Sequence, residues 1–201
     1  MPFSTYAELK TSVQAWLARG DSLVTDRIPD FIRLGEERIN RDLRVSDMIA
    51  APSTLTIVAG QNWVALPTDF LEFKRIRSST EPRIEYMSPD ALEDLAPCGD
   101  GSKYSIEGRR LLYGQTPDAN LDLSVRYYAQ LPVLDDSTTT WLLEKAPSVY
   151  LYASLVEGAL FTKNSKAAGE WGTLYDKAIA ALEGADEAAA VSGGRLRMQR
   201  R

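Results

Sequence analysis

The spacing of the apolar residues changes twice along this 201-residue chain, and this limits the possible folds more than any other feature. At both ends the apolar residues recur every three to four positions, as on one face of a helix. Between residues 51 and 132 they alternate, as in strands with one buried face. Neither helical end can bury its apolar stripe alone, so the two ends must pack together.

The predicted fold class is therefore α+β: a mainly α-helical bundle with an inserted small antiparallel β domain and a flexible C-terminal tail. Two N-terminal helices are expected in residues 1–50, and two C-terminal helices in residues 133–191 complete the helical domain. The β domain occupies residues 51–132. Residues 192–201 form the tail.

The N-terminal helices have clear sequence signals. Thr5 or Ser4 caps the first helix and Glu8 completes a capping box, while Gly20 is expected to end the helix. The second helix, in "DRIPDFIRLGEERINRDLRV", has an apolar stripe and an opposite face of mixed charge, which is ordinarily solvated. The stripe comprises Ile28, Phe31, Ile32, Gly35, Ile39 and Leu43, and the charged face comprises Arg33, Glu37, Arg38 and Arg41.

The middle of the chain has strand and turn signals. "TLTIVAGQNWVALP" predicts a strand, a glycine-containing turn and a strand, and "FLEFKRIRS" and "LDLSVRYYAQLP" predict two more strands. "MSPDALEDLAP" predicts a short helix, and "KYSIEGRRLLYG" predicts a hairpin that turns at Glu107 and Gly108. Five aromatic residues could form a stacking platform for bases, although residues at strand spacing usually belong to the core. They are Trp63, Tyr86, Tyr104, Tyr127 and Tyr128.

The C-terminal helices contain the most apolar segment of the chain. Pro147 suits the first turn of a helix, and residues 149–161 are apolar on nearly all sides. Such a helix is buried either centrally in its own domain or by partner subunits. A last helix keeps apolar spacing and ends towards Ser192. Its apolar positions are Trp171, Leu174, Tyr175, Ala178 and Leu182.

The composition excludes several kinds of chemistry. The chain has no histidine, so it has no Ser-His-Asp or Cys-His pair and no His-ligated metal. Its single cysteine, Cys98, cannot form an intrachain disulfide or a zinc knuckle. Glu36 and Glu37 point to different sides of a helix, and Asp135 and Asp136 suit helix capping. We therefore expect no catalytic residues, no metal and no cofactor.

Charge is divided unevenly along the chain. The last ten residues, "SGGRLRMQRR", hold four of the 23 Lys and Arg and none of the 28 Asp and Glu. The body therefore carries nine more acids than bases, and an acidic body repels DNA and RNA. No apolar run approaches the roughly 18 residues of a membrane helix, so we expect a soluble protein with no membrane partner.

The order of these segments resembles the head-to-tail adaptor (connector) proteins of tailed bacteriophages, the neck proteins of the tail-tubular-A-like kind. "YAELKTSVQAWLARGD", "IPDFIRLGEERINRDLR" and "LPTDFLEFKRI" carry the resemblance in the first half. "YYAQLPVLDDSTTTWLLEKAPSVYLYASLVEGALF" and "EWGTLYDKAIAAL" continue it. Together these segments cover most of the chain, and their order is more specific than any one of them.

The resemblance implies a structural, non-enzymatic virion protein of the neck, which assembles in the host cytoplasm. Adaptors of this kind form dodecameric rings beneath the portal, extend the DNA channel and present a platform for tail attachment. The implied partners are the portal protein, tail or nozzle proteins and further copies of the chain. Genomic DNA passes through such a ring without sequence-specific binding.

Two groups of residues are candidates for contacts in such a ring. The C-terminal segments of the family engage the portal, and in this chain arginines can pair with carboxylates there while Leu and Met fill small pockets. The candidate portal-docking residues are Arg195, Leu196, Arg197, Met198, Arg200 and Arg201. The helix carrying Arg33, Glu37, Arg38 and Arg41 is a candidate ring-contact or channel element.

Two other functions remain possible from the sequence. A nucleic-acid-binding packaging accessory protein would use the arginine tail as its phosphate contact, with weak and steeply salt-dependent binding. A nuclease with a metal site built from scattered carboxylates would lose its activity with a chelator.

Overall fold

The computed structural model describes residues 4–95 and 99–192. They fall into two units, which we name the helical unit and the β unit. The helical unit comprises the described residues of Met1–Asp47 and Leu131–Arg201, and the β unit comprises the described residues of Met48–Gln130. The α+β class is confirmed. The predicted tail beyond Ser192 lies outside the described residues.

The bounds of the helices follow in chain order. They are α1 Tyr6–Leu17, α2 Ser22–Thr25, α3 Ile28–Asp42, α4 Pro89–Leu95, α5 Trp141–Lys145, α6 Pro147–Phe161 and α7 Ser165–Ser192. Helix α4 belongs to the β unit and the other six belong to the helical unit. The short helices α2 and α5 were not predicted from the sequence.

Helix α1 begins as predicted but ends earlier. The Thr5 hydroxyl accepts a hydrogen bond from the Glu8 N–H at 3.3 Å, and the Glu8 carboxylate accepts one from the Thr5 N–H at 3.2 Å, which confirms the capping box. The expectation that Gly20 ends the helix is wrong. Ala18 takes the left-handed conformation with φ 50°, and its N–H bonds to the Ala15 carbonyl, so the last turn closes before Gly20 is reached.

The centre of the helical unit lies between α3 and α6. Every residue of the predicted α3 stripe is buried: Ile28, Phe31, Ile32, Gly35, Ile39 and Leu43. Pro147 stands in the first turn of α6, as predicted. Helix α6 packs against α1, α3, α5 and α7, so its apolar surface is buried within its own unit rather than by partner subunits. At its C-terminal end, Leu160 and Phe161 are exposed.

Asp135 and Asp136 do not cap a helix, contrary to the prediction. The Asp135 carboxylate accepts hydrogen bonds from the N–H groups of Ser137 and Thr138 at 2.8 and 2.7 Å, which closes a turn before α5 begins. Thr140 caps α5 instead, because its hydroxyl accepts from the Leu143 N–H at 3.2 Å. Asp136 forms an ion pair with Lys10.

The β unit contains two sheets. The strands are β1 Ser53–Ile57, β2 Trp63–Ala65, β3 Phe70–Arg77, β4 Glu85–Tyr86, β5 Lys103–Glu107, β6 Arg110–Tyr113 and β7 Leu121–Ala129. Sheet A has the order β1-β7-β3 and is antiparallel, and sheet B has the order β2-β6-β5-β4. The predicted antiparallel pairing holds except at one edge of sheet B, where β4 runs parallel to β5.

Strand pairing differs from sequence order in one place and follows it in another. The predicted strand, turn and strand at β1 and β2 exist, but β1 pairs with β7 and β2 pairs with β6. The predicted hairpin joins β5 to β6, and Gly108 at its turn has φ +57°, which favours glycine.

The inner faces of the two sheets share one core, and α4 covers the outer face of sheet B. The core comprises Ile57, Ile76, Ile84, Leu111, Tyr113, Leu123, Val125 and Tyr127. On the outer side of sheet B, helix α4 packs over β5, and Ser105 and Leu92 are buried there. Sheet A and α4 therefore lie on opposite sides of sheet B.

Candidate interaction surfaces

The candidate ring-contact helix α3 presents three of its four predicted residues to solvent. Arg33, Glu37 and Arg41 are exposed. Arg33 donates to the Glu36 carboxylate at 3.3 Å, and the Arg41 Nε lies 3.5 Å from Asp42. Both pairs join neighbours on one helix, so they leave the charged face accessible.

The fourth residue, Arg38, is engaged inside the helical unit. Its Nε and Nη2 both donate to Oε1 of Glu157 on α6, at 3.1 and 2.6 Å. The side chains of Arg38 and Glu157 are 28% and 16% exposed. A charge-assisted pair with this burial ties α3 to α6, so Arg38 differs from the other three residues of the predicted surface.

Two buried polar side chains of α3 hold the segment that follows the β unit. The Glu36 carboxylate accepts from the Leu134 N–H at 2.7 Å, and the side-chain amide oxygen of Asn40 accepts from the Leu131 N–H at 2.9 Å. Burial raises the pKa of Glu36 above its ordinary value. Sequence reasoning missed this role, although Glu36 lies on the apolar stripe between Ile32 and Ile39, where a carboxylate needs a partner.

Two buried tyrosines make further polar links between helices. The hydroxyls of Tyr150 and Thr140 are hydrogen-bonded at 3.1 Å, and Tyr175 donates to Asp42 at 3.0 Å. Burial raises the pKa of both tyrosines, and Asp42 adds to the rise at Tyr175. Each phenol hydroxyl therefore has a hydrogen-bond partner within the helical unit, as buried polar groups in a packed core do.

A cluster of three aromatic side chains joins α1, α6 and α7. Trp16 makes edge contacts with Trp171 and Tyr152, at ring-centroid distances of 5.5 and 6.4 Å. Tyr152 and Trp171 are stacked. Trp16 is 49% exposed, so part of this cluster remains on the surface of the helical unit.

The aromatic residues of the β unit do not form one platform for bases. Tyr127 is buried in the core and donates to Asp69, whereas Tyr128 lies on the other face of sheet A. Trp63 belongs to sheet B, where Arg110 stacks on its ring at 4.3 Å. The core interpretation is confirmed for Tyr127 and wrong for Tyr86, which is 60% exposed.

The outer face of sheet A is cationic, which the sequence reading did not identify. Lys74, Arg75, Arg77 and Arg126 are exposed there. Arg75 is the cross-strand partner of Arg126. The signal was the "KRIR" run of β3, where a bulge next to Phe73 brings Lys74 onto the same side, 5.6 Å from the Tyr128 ring.

The described residues show no metal-binding group of three or more Asp, Glu or Cys side chains. Within residues 4–95 and 99–192, every helix is too short or too polar to cross a membrane. The candidate portal-docking residues of the tail lie outside the described part of the chain.

Comparison with protein families defines the class of this chain as a phage head-to-tail adaptor. The model that matches is described as SU10 adaptor protein, and it covers residues 4–199, which includes both units. The chain therefore belongs to the SU10 adaptor protein family, and the resemblance found in the sequence is confirmed. Family membership implies a structural role. No curated protein matches the chain significantly.

Proposed function

We propose that the chain forms a homo-oligomeric ring beneath the portal, extends the DNA channel and gives a platform for tail or nozzle proteins. The observation that carries this proposal is the family match over residues 4–199, because it spans the helical unit and the β unit together. The resemblance implies a dodecamer, a place in the virion neck and assembly in the host cytoplasm.

The charged face of α3 supports a ring contact. A closed ring requires heterologous contacts, in which one surface of a copy meets a different surface of the next. Arg33, Glu37 and Arg41 offer exposed charges of both signs, and such charges set the register of an interface more than its affinity. Arg38 has its partner within the unit and is left out of this contact.

The basic tail supports docking on the portal. Residues 193–201 contain Arg195, Arg197, Arg200 and Arg201, and a nine-residue segment reaches at most about 30 Å when extended. Arginines bind carboxylates through paired hydrogen bonds, while Leu196 fills an apolar pocket. Several copies in one ring multiply a contact that is weak in each copy.

The charge balance supports passage of DNA without retention. Outside its last ten residues the chain carries nine more acids than bases. An excess of negative charge repels phosphates. It also removes the main driving force of non-specific DNA binding, which is the release of counterions when basic side chains neutralise phosphates. Genomic DNA would therefore move through the ring without sequence-specific contacts.

The test is assembly on the cognate portal ring, followed by native mass spectrometry. The full chain is compared with a chain that ends at Val191 and with a full-length variant in which the four tail arginines become glutamine. The full chain should form a ring of fixed copy number on the portal, and both variants should bind at least about tenfold more weakly. Equal thermal unfolding midpoints confirm that the variants are folded.

The outcomes separate the parts of the proposal. Equal binding of all three chains would contradict the role of the tail and leave the ring intact. Failure of the full chain to bind the portal would contradict the adaptor function itself.

The four tail arginines also favour a second function, that of a nucleic-acid-binding packaging accessory. Retention of double-stranded DNA at 50 and 200 mM salt tests it. Retention that is lost between these salt concentrations and abolished by the glutamine variant would favour this alternative.

A further inference from the structure

The outer face of sheet A carries an excess of cations. Lys74, Arg75, Arg77 and Arg126 share this face with two acids, Glu72 and Asp122, so bases outnumber acids there. Arg75 and Arg126 even stand opposite each other. Two like charges at directly opposed positions destabilise a sheet, so the isolated β unit gains nothing from this arrangement.

A surface of opposite charge lies on the other side of the same unit. Asp90, Glu93 and Asp94 are exposed on α4, and Glu107 of β5 lines the same cleft as Asp90 and Glu93. Glu107 stands opposite Arg110 in the β5–β6 pair, so the net negative charge of this surface comes from the three acids of α4. Because the two sheets share their inner core and α4 covers the outer face of sheet B, this surface faces away from sheet A.

We propose that the cationic face of sheet A binds the acidic α4 surface of the neighbouring copy in the ring. This inference rests on the proposed ring and specifies one of its contacts. Complementary surfaces on opposite sides of one unit are the arrangement that a head-to-tail contact requires. The excess bases of sheet A would meet the acids of α4, so charges of opposite sign would face each other across the contact.

A second copy fits the cationic face better than nucleic acid does. Residues 48–130 contain eleven acids and eight bases, so the unit as a whole repels phosphates. The aromatic side chains that would stack on bases are divided between the two sheets and the two faces of sheet A. The acidic α4 surface, in contrast, is present on every copy of the chain.

Two charge-reversed variants of the full chain test the contact. The sheet-reversed variant carries Arg75→Glu, Arg77→Glu and Arg126→Glu, which turns four positive charges into a net charge of about −2. The helix-reversed variant carries Glu93→Lys, Asp94→Lys and Glu107→Lys, which turns four negative charges into about +2. All six positions are exposed, so each variant is expected to fold, and thermal unfolding checks this.

A matched control separates the position of the charges from their number. Lys163, Lys166 and Lys177 are exposed bases of the helical unit. Their replacement by glutamate changes the net charge as much as the sheet reversal does and leaves the proposed contact intact. This control should assemble on the portal ring as the unmodified chain does.

Each reversed variant alone should assemble on the portal at least about tenfold more weakly than the unmodified chain, because like charges then meet at every contact. An equimolar mixture of the two should recover assembly and give rings in which the variants alternate. One chain that carries all six reversals should also recover. These results are read from the masses of the intact complexes.

Other results would overturn the inference. Assembly of either reversed variant at the unmodified level would place the contact elsewhere, while the ring itself stands. The sheet-reversed variant could instead lose both ring assembly and retention of double-stranded DNA, with no rescue of assembly in the mixture. That result would assign the cationic face to nucleic acid. Failure of the unmodified chain to form a ring on the portal would contradict the proposed function and, with it, this contact.

Discussion

Arg75 on β3 and Arg126 on β7 are direct cross-strand partners, so two guanidinium groups face the same side of sheet A. Directly opposed like charges destabilise a sheet by a few tenths of a kcal/mol to about 1 kcal/mol. The substitution Arg126→Gln is therefore expected to raise the free energy of unfolding by about 0.2–1 kcal/mol in low salt. Urea unfolding measures this gain, which should shrink in 1 M salt because the repulsion is screened.

Arg83→Gln is the matched control for this prediction. Arg83 is an exposed base of the same unit, but its Nε lies 3.4 Å from Glu85, so its removal ends an attraction instead of a repulsion. It should leave stability unchanged or lower it slightly. Destabilisation by Arg126→Gln in low salt would contradict the repulsive interpretation. Stabilisation with weaker ring assembly would show that this face is kept cationic for binding.

The pair Arg38 and Glu157 is expected to contribute to stability rather than to the ring surface. Removing either partner leaves a partly buried charge with lost hydrogen bonds, so Arg38→Ala and Glu157→Ala should each lower the free energy of unfolding by about 1–3 kcal/mol. The double variant should lose less than the sum of the two, because the pair is shared. Urea unfolding of the four chains gives the coupling energy directly.

Arg41→Ala serves as the comparison for the Arg38 variant. Arg41 lies on the same helix but is two-thirds exposed and contacts only its neighbour Asp42 among the ion pairs of the described residues. Its removal should change stability by less than about 0.5 kcal/mol. An equal loss for both arginines would indicate that the contact with Glu157 is not what stabilises α3 against α6.

Gly35 allows α3 and α6 to approach closely. A Cβ at this position would lie 3.2 Å from both the Ala153 Cβ and the Ser154 backbone nitrogen, so the two helices would have to separate. Gly35→Val is expected to lower the free energy of unfolding by about 1–3 kcal/mol, as overpacking does. Thermal or urea unfolding measures the loss.

Gly184→Val provides the same change where there is space. Among the described residues, no atom lies within 4 Å of the Cβ position at Gly184, which is exposed on α7. Valine has a higher helix propensity than glycine, so this variant should gain roughly 0.3–0.5 kcal/mol. A loss at Gly184 as large as that at Gly35 would show that valine itself, rather than the close helix packing, is responsible.

The elements that the sequence predicted are those whose signals are local. The stripe of α3 and the capping box at Thr5 and Glu8 depend on residues within a few turns, and both are present. Strand pairing depends on residues far apart in the chain. The partner of β1 is β7, about 70 residues later, and no local pattern distinguishes β7 from the nearer β2.

The candidate surfaces were predictable only in part for the same reason. The charged face of α3 can be read from helical spacing, but the engagement of Arg38 depends on Glu157 on a distant helix. The cationic face of sheet A requires Arg126 to be paired with Arg75, and its acidic counterpart requires α4 to cover sheet B. Such contacts follow from topology, which the spacing of apolar residues does not determine.

Glu36 gives a prediction for the dependence of stability on pH. Glu36 is 4% exposed, and burial raises the pKa of its carboxylate above the ordinary value of 4.5 despite the hydrogen bonds from Leu134 and Arg33. The unfolded chain therefore releases this proton at a lower pH than the folded chain does. The protonated carboxyl group therefore contributes to the free energy of unfolding. This contribution is complete below about pH 4.5 and is lost as the pH rises through the pKa of Glu36 in the folded chain.

The substitution Glu36→Gln removes this titration and keeps a side-chain oxygen for the Leu134 N–H. The free energy of unfolding of the unmodified chain should fall relative to that of the variant as the pH rises from 4 to 7. The fall is about 1.4 kcal/mol for each unit by which the pKa is raised. Urea unfolding of both chains at each pH gives the difference. A difference that grows in favour of the unmodified chain would mean that Arg33 and Leu134 outweigh burial, and that the ionised carboxylate is the form that holds the segment in place.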